Sequence, residues 1–205
     1  MEQTSKYLRR ASFAYVLAGT GLLAFGFQFW FLGAVETKAQ GRLLAPFIFL
    51  ADDPFIPTEQ GGWIGLISKA SMFVGAFSLW KIGEPTGLGK KRSLLFIPMA
   101  GAVAYVLGQW LPLPFAPMGA FLNGIGMLLV GIASLRASIW TGWKRYAPLI
   151  VGSFPFVFMF PILFISGARP AELIGIWGFP WLLLGLAAWQ RAQEVSSKLP
   201  TTKPL

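Results

Sequence analysis

The chain has 205 residues, of which 55% are hydrophobic and 12% are charged, and its formal net charge is +9. A soluble domain carries about 25% charged residues, so this composition and the mean hydropathy of +0.62 indicate an integral membrane protein. Cysteine and histidine are absent from the sequence. This excludes disulfides, thiolate nucleophiles, histidine bases, and zinc or haem sites with their usual ligands. We therefore expect an all-α polytopic membrane protein that holds no metal or cofactor and is not an enzyme.

Six apolar segments follow one another along the chain. A hydrocarbon core of about 30 Å is crossed by about 20 mostly apolar residues in a helix. Segments of this kind are predicted at residues 11–32, 62–80, 94–111, 116–135, 147–166 and 173–189. Residues 1–10 precede this six-helix domain, residues 33–61 form its long first outer loop, and residues 190–205 form a polar tail that we expect to be disordered.

The basic residues give the bundle an orientation, because cytoplasmic loops retain Lys and Arg. With the N-terminus inside, the outer loops hold Lys38, Arg42 and Arg169, and Lys69 lies within a span. The other basic residues all fall on the inner side: Lys6, Arg9, Arg10, Lys81, Lys90, Lys91, Arg92, Arg136, Lys144, Arg145, Arg191, Lys198 and Lys203. The sequence therefore predicts a cell-membrane protein with both termini in the cytoplasm. Contact with anionic membrane lipids explains the positive charge without a nucleic-acid partner.

A weak repeat runs through the inward-directed spans. Similar segments surround Gly75 (MFVGAFSL), Gly131 (LLVGIASL) and Gly185 (LLLGLAAW). They suggest three repeated helical hairpins, although small residues are so common in membrane helices that chance alignment is an equal alternative. Under either hypothesis these glycines are predicted to be helix-packing contacts.

Prolines interrupt several spans. Pro98, Pro155, Pro161 and Pro180 each remove a backbone donor, and in lipid the freed carbonyl must find a neighbouring group or a water. Passive kinks are the expected result.

Polar side chains within the spans concentrate in the outer half of the predicted membrane. Lys69 and Asn123 lie about 10 Å below the outer surface at 1.5 Å per residue, and Gln28 and Gln109 lie near the outer ends of their helices. Glu172 begins the sixth span above the same layer.

Two interpretations of this layer remain open. In the first, a pocket open to the outside binds an anionic group on Lys69, with Gln28, Gln109 and Asn123 as hydrogen-bonding groups and Glu172 at the rim. Its apolar walls are Trp63, Trp110 and Trp177, and residues 33–61 form a lid. In the second, Lys69 extends to the outer headgroups or pairs with Glu59 or Glu172, while the amides bond between helices.

The sequence favours no catalytic or metal-binding arrangement. Asp52, Asp53 and Glu59 form a solvated turn that could at most hold a loose calcium ion. The leading function is a non-enzymatic accessory or scaffold subunit, which would have a membrane-protein partner or form a homo-oligomer. The alternative is a binding or transport protein for a small anionic or amphiphilic molecule, with Lys69 as its charge partner.

The predicted layout resembles that of the substrate-binding subunits of energy-coupling-factor vitamin transporters. Both have six helices, both termini inside, about 200 residues and a lid-like first outer loop. In that family an Ala-x-x-x-Ala face in the first helix meets the partner subunit, and Ala14 and Ala18 have this spacing. The resemblance therefore implies a partner at that face, although the tryptophan- and proline-rich helices here depart from the family.

Overall fold

A computed structural model describes residues 2–40, 62–83, 88–111, 115–166 and 170–197. Throughout these residues the regular secondary structure is helical, without strands. Four helices are long and apolar enough to cross a membrane: Trp63–Ile82, Phe115–Ala137, Gly142–Ile162 and Leu173–Ser197. The protein is thus an all-α helical bundle of the kind found in membranes, as the composition predicts.

The helices follow one another with short connections. The first two are α1 (Glu2–Gln40) and α2 (Gly62–Ile82). A 3₁₀ turn (Gly89–Leu95) leads into α3 (Phe96–Leu107), and α4 spans Phe115–Ala137. A second 3₁₀ turn (Gly142–Tyr146) leads into α5 (Ala147–Phe154), which continues through a π turn (Pro155–Met159) into α6 (Phe160–Ser166). The last helix is α7 (Pro170–Ser197).

Neighbouring helices are antiparallel and close into a ring. α2 packs on α1 and α3, α4 packs on α3 and α5, and α7 packs on both α5 and α1. At the meeting of the first and last helices, Ser5 Oγ lies 2.7 Å from Ser196 Oγ. The start of α1 and the end of α7 therefore lie at the same end of the bundle.

That end of the bundle, called the basic end below, is formed by the start of α1, the α2–α3 turn, residues 137–147 and the last turns of α7. Described basic side chains gather there: Lys6, Arg9, Arg10, Lys81, Lys91, Arg92, Arg136, Lys144, Arg145 and Arg191. Glu194 of α7 accepts hydrogen bonds from Lys144 and from Arg191, the latter at 2.9 Å. These ion pairs join the 3₁₀ turn before α5 to the end of α7.

The glycines of the suggested repeat do not occupy equivalent interfaces. A methyl group on Gly75 of α2 would lie 2.7 Å from Cζ of Tyr15 of α1. A methyl group on Gly131 of α4 would meet the backbone of Leu149 of α5, and one on Gly185 of α7 would lie 2.7 Å from Val16 Cγ2 of α1. Only Gly75 therefore contacts the helix before its own, as a repeated hairpin would require of all three.

A proline shapes the helix formed by α5 and α6. Pro155 has no N–H to donate to the carbonyl of Val151, four residues earlier. The chain widens into the π turn, in which the N–H of Phe160 donates to the carbonyl of Pro155. Pro180 remains inside an unbroken α7, and Pro98 lies in the first turn of α3 rather than mid-span.

Helix bounds extend some of the predicted segments. α7 continues to Ser197, so residues 190–197 of the predicted polar tail are helical. α1 continues to Gln40, into the predicted outer loop. Ala14 and Ala18 of α1 are 3% and 0% exposed. Their face packs inside the bundle, which corrects the expectation from the family resemblance that it meets a partner.

Candidate functional site

Lys69 of α2 is a buried cation in the interface between α2 and α3. Its side chain is 5% exposed, and its Nζ donates a hydrogen bond to Gln109 Oε1 at 3.0 Å. The same Nζ lies 4.7 Å from the centre of the Tyr105 ring. Tyr105 and Gln109 are one helical turn apart, so together they face the ammonium group from the outer end of α3.

These contacts compensate the buried charge in part. A hydrogen bond to a charged group contributes about 1.5–3 kcal/mol, and a desolvated cation–π contact contributes about 2 kcal/mol. An ammonium has three N–H donors, of which the contact with Gln109 uses one. Both surrounding groups are neutral, so they leave the positive charge itself unbalanced.

The described residues supply no carboxylate to Lys69. Within them, the ion pairs are those of Glu194 with Lys144 and Arg191 at the basic end. The predicted partner Glu59 lies outside the described residues, and the side chain of Glu172 lies outside the described part of the chain. In this structure Lys69 therefore does not extend to the bundle surface.

Asn123 of α4 lies one turn deeper than Lys69. It is fully buried, and its Nδ2 donates to the carbonyl of Pro98 at 3.4 Å and contacts Met72 Sδ at 3.7 Å. Met72 follows Lys69 by three residues on α2, which places the Lys69 and Asn123 layers next to each other. Asn123 Oδ1 has no hydrogen-bond partner among the described residues.

Two glycines bring α3 and α4 close enough to position these side chains. A methyl group on Gly101 would lie 2.9 Å from Cα of Asn123, and one on Gly119 would lie 2.5 Å from Cα of Tyr105. The missing side chains let the two backbones approach closely. Tyr105 and Asn123 are thereby fixed by backbone contact rather than by side-chain packing alone.

The three predicted wall tryptophans lie in different places. Trp63 is half-buried in the first turn of α2, and its Nε1 has no partner among the described residues. Trp110 is 49% exposed beyond the end of α3. Trp177 is fully buried between α7 and α5, where its indole N–H donates to the carbonyl of Val151 at 2.9 Å.

The structure thus brings Lys69 and Gln109 together and places Asn123 in the next layer. Trp177 belongs to another interface, and the side chains of Gln28 and Glu172 lie outside the described part of the chain. The sequence analysis omits Tyr105, although its position one turn before Gln109 indicates that both face the same neighbour. It also omits Ser68, whose hydroxyl donates to the carbonyl of Ala18 at 2.7 Å and joins α2 to α1.

Fold and geometry together define a class: a helical membrane bundle with a buried, hydrogen-bonded lysine near one end of its second and third helices. No protein family, curated protein or solved structure matches the chain. Its chemistry is therefore argued from the side chains themselves. The site offers a cation, an amide, an aromatic ring and a second buried amide, a set that binds anions and hydrogen-bonding groups.

Proposed function

We propose that this protein is a non-enzymatic, multi-pass protein of the cell membrane that binds, and in that way can transport, a small anionic or amphiphilic ligand. Lys69 is the charge partner of the ligand, and Gln109, Tyr105 and Asn123 are the neighbouring groups. The ligand enters from the outer side, because Lys69 lies toward the end of the bundle opposite the basic end.

The proposed topology has six membrane crossings with both termini in the cytoplasm. Support comes from the alternating direction of six helical segments and from the contact between Ser5 and Ser196 at the basic end. An even number of crossings is required when both ends of a chain lie on one side. Retention of Lys and Arg in the cytoplasm then makes the basic end the inner one.

Because the chain lacks cysteine, single cysteines test this topology directly. Gln40→Cys should react with a membrane-impermeant maleimide from outside intact cells. Ser197→Cys, at an exposed position, should react only after permeabilisation. Labelling of Ser197→Cys in intact cells would invert the orientation and contradict an outward-facing site.

The burial of Lys69 is the single observation that carries the binding proposal. A charge within a membrane span costs a few kcal/mol unless it faces a partner or a cavity. The neutral contacts with Gln109 and Tyr105 hold the ammonium in place without balancing its charge. An anionic ligand group would supply that balance, and the free N–H donors of the ammonium would bind it.

Native mass spectrometry of protein gently extracted from its own membrane tests the proposal. We expect an added mass of a few hundred daltons that is lost on Lys69→Leu and retained on Lys6→Leu. The control removes an exposed lysine of α1 and so changes the net charge equally. Equal retention by both variants, or no added mass in the wild type, would contradict the proposed site.

The competing function is an accessory or scaffold subunit. It would appear in the same spectra as a polypeptide at fixed stoichiometry without a small ligand. In that case the Lys69–Gln109 hydrogen bond would serve as a polar link between α2 and α3.

A further inference from the structure

Two cations flank one tryptophan at the basic end of α2 and α3. Lys81 Nζ lies 5.4 Å from the centre of the Trp80 ring and 5.4 Å from that of Phe77. Arg92 Cζ lies 5.9 Å from the Trp80 ring, so the two cations are no further apart than the sum of their distances to it. The Phe96 ring packs 5.4 Å from Trp80 on the α3 side. We call Phe77, Trp80, Lys81, Arg92 and Phe96 the cationic niche.

The cations of the niche have no carboxylate partner in the described part of the chain. The ion pairs found there use Glu194, which belongs to the other side of the basic end with Lys144 and Arg191. Lys81 and Arg92 are both exposed, as is Lys91 beside them. Close cations without a counter-charge attract a phosphate group, which guanidinium and ammonium groups both bind.

An apolar stripe leads away from the niche along α3. Phe96, Ala100, Val103 and Leu107 are all exposed and recur at helical spacing, so they share one face. From Phe96 to Leu107 this stripe is about 16 Å long at 1.5 Å per residue. It runs along the helix axis in the direction that an acyl chain takes in a membrane.

We propose that the cationic niche and this stripe form a binding site for one anionic phospholipid. Its headgroup phosphate contacts Lys81 and Arg92 beside the Trp80 ring, at the level where tryptophan side chains sit in membranes. Its acyl chain lies along Phe96, Val103 and Leu107. The site is separate from Lys69 and does not depend on the ligand proposed there.

The charge complementarity of the niche distinguishes this site from general attraction of a basic surface to lipid. Elsewhere at the basic end, Lys144 and Arg191 share the carboxylate of Glu194. At the niche a lipid phosphate takes the corresponding place. Removing the two niche cations should therefore matter more than removing two exposed cations on another helix.

The test uses the full-length protein, delipidated in detergent and titrated with dioleoyl phosphatidic acid or dioleoyl phosphatidylcholine before native mass spectrometry. We expect the wild type to retain one phosphatidic acid in preference to phosphatidylcholine, which has the same acyl chains. The double variant Lys81→Gln/Arg92→Gln should lower the affinity for phosphatidic acid roughly tenfold or more, since each basic residue near the membrane surface contributes to the attraction. The control Lys6→Gln/Arg10→Gln removes two exposed charges from α1 and should retain it.

Three results would overturn the site. The niche variant could bind phosphatidic acid as the wild type does, or the control could lose it equally, which would indicate unspecific attraction to the basic end. Alternatively, millimolar inorganic phosphate could displace the lipid, which would assign the niche to phosphate itself. The replaced side chains are exposed, so unchanged thermal unfolding of both double variants in the absence of lipid verifies that they are folded.

Discussion

The indole nitrogen of Trp177 lies 2.9 Å from the carbonyl oxygen of Val151, the carbonyl that proline at position 155 deprives of its regular helical donor. An unsatisfied carbonyl within a membrane costs several kcal/mol. A side chain of α7 thus replaces a backbone N–H that α5 lacks. This accounts for a large, fully buried tryptophan with a directed hydrogen bond between these two helices.

This relationship predicts that Trp177→Phe destabilises the protein by about 1 kcal/mol, because the ring volume is largely kept while the donor is lost. Pro155→Ala restores a backbone N–H, so the same change should be less harmful in that background. Unfolding by SDS titration in mixed micelles measures both. Trp181→Phe is the matched control, since Trp181 Nε1 has no partner among the described residues. An equal loss in both tryptophan variants would contradict the role of the hydrogen bond.

The buried pair of Lys69 and Gln109 should show strong coupling. Gln109→Leu removes an acceptor from a buried ammonium and should cost about 2 kcal/mol of unfolding free energy. In the background of Lys69→Leu the same change should cost much less, because no charge is left in need of an acceptor. A four-variant cycle in mixed micelles measures the difference. Pairing Gln109→Leu with Lys6→Leu provides the additive control, and additivity in both cycles would rule out the coupling.

Gly75 is packed against the ring of Tyr15, and a methyl group there would lie 2.7 Å from Cζ. Gly75→Ala should therefore destabilise the bundle by about 1–3 kcal/mol through overpacking. Tyr15→Leu in the same chain should relieve part of that loss. Thermal unfolding in detergent measures each variant, with Ala70→Leu on the exposed face of α2 as the control. A neutral Gly75→Ala would show that α1 and α2 can separate without loss.

Glu194 joins two basic side chains, of which Lys144 is the more buried. Glu194→Gln should cost about 1 kcal/mol, since partly exposed ion pairs contribute little and a neutral amide still accepts a hydrogen bond. Glu194→Ala should cost more, because Lys144 then has no acceptor at that position. Unfolding at low and high ionic strength separates the two effects, with exposed Glu2→Gln as the control. Equal stability of the two Glu194 variants would contradict a role for the acceptor.

Hydropathy and helical rise predict a large part of this molecule. Apolar runs locate the helices, and a rise of 1.5 Å per residue places Lys69 and Gln109 in one layer, where the structure brings them into contact. The basic residues group at one end of the bundle as the positive-inside rule predicts.

What sequence periodicity cannot supply is the rotation of each helix about its axis. Trp177 and Gln109 both belong to the outer part of predicted spans, yet one faces α5 and the other faces α2. Helices that are apolar on nearly every side carry little information on which face is inward, since lipid is as apolar as a helix interface. The alanines at 14 and 18 illustrate this, because their spacing suits an exterior contact as well as the interior one that they make.

The closure of the ring between α1 and α7 has a consequence for biosynthesis. The ribosome delivers α1 first and α7 last, so the first helix waits in the membrane for its neighbour until translation is nearly complete. During that interval the backbone surface of Gly19, which later lies against Gly178, is open to lipid or to insertion factors. A chain that terminates before α7 would keep that surface uncovered, and quality-control proteases that survey the bilayer could recognise it.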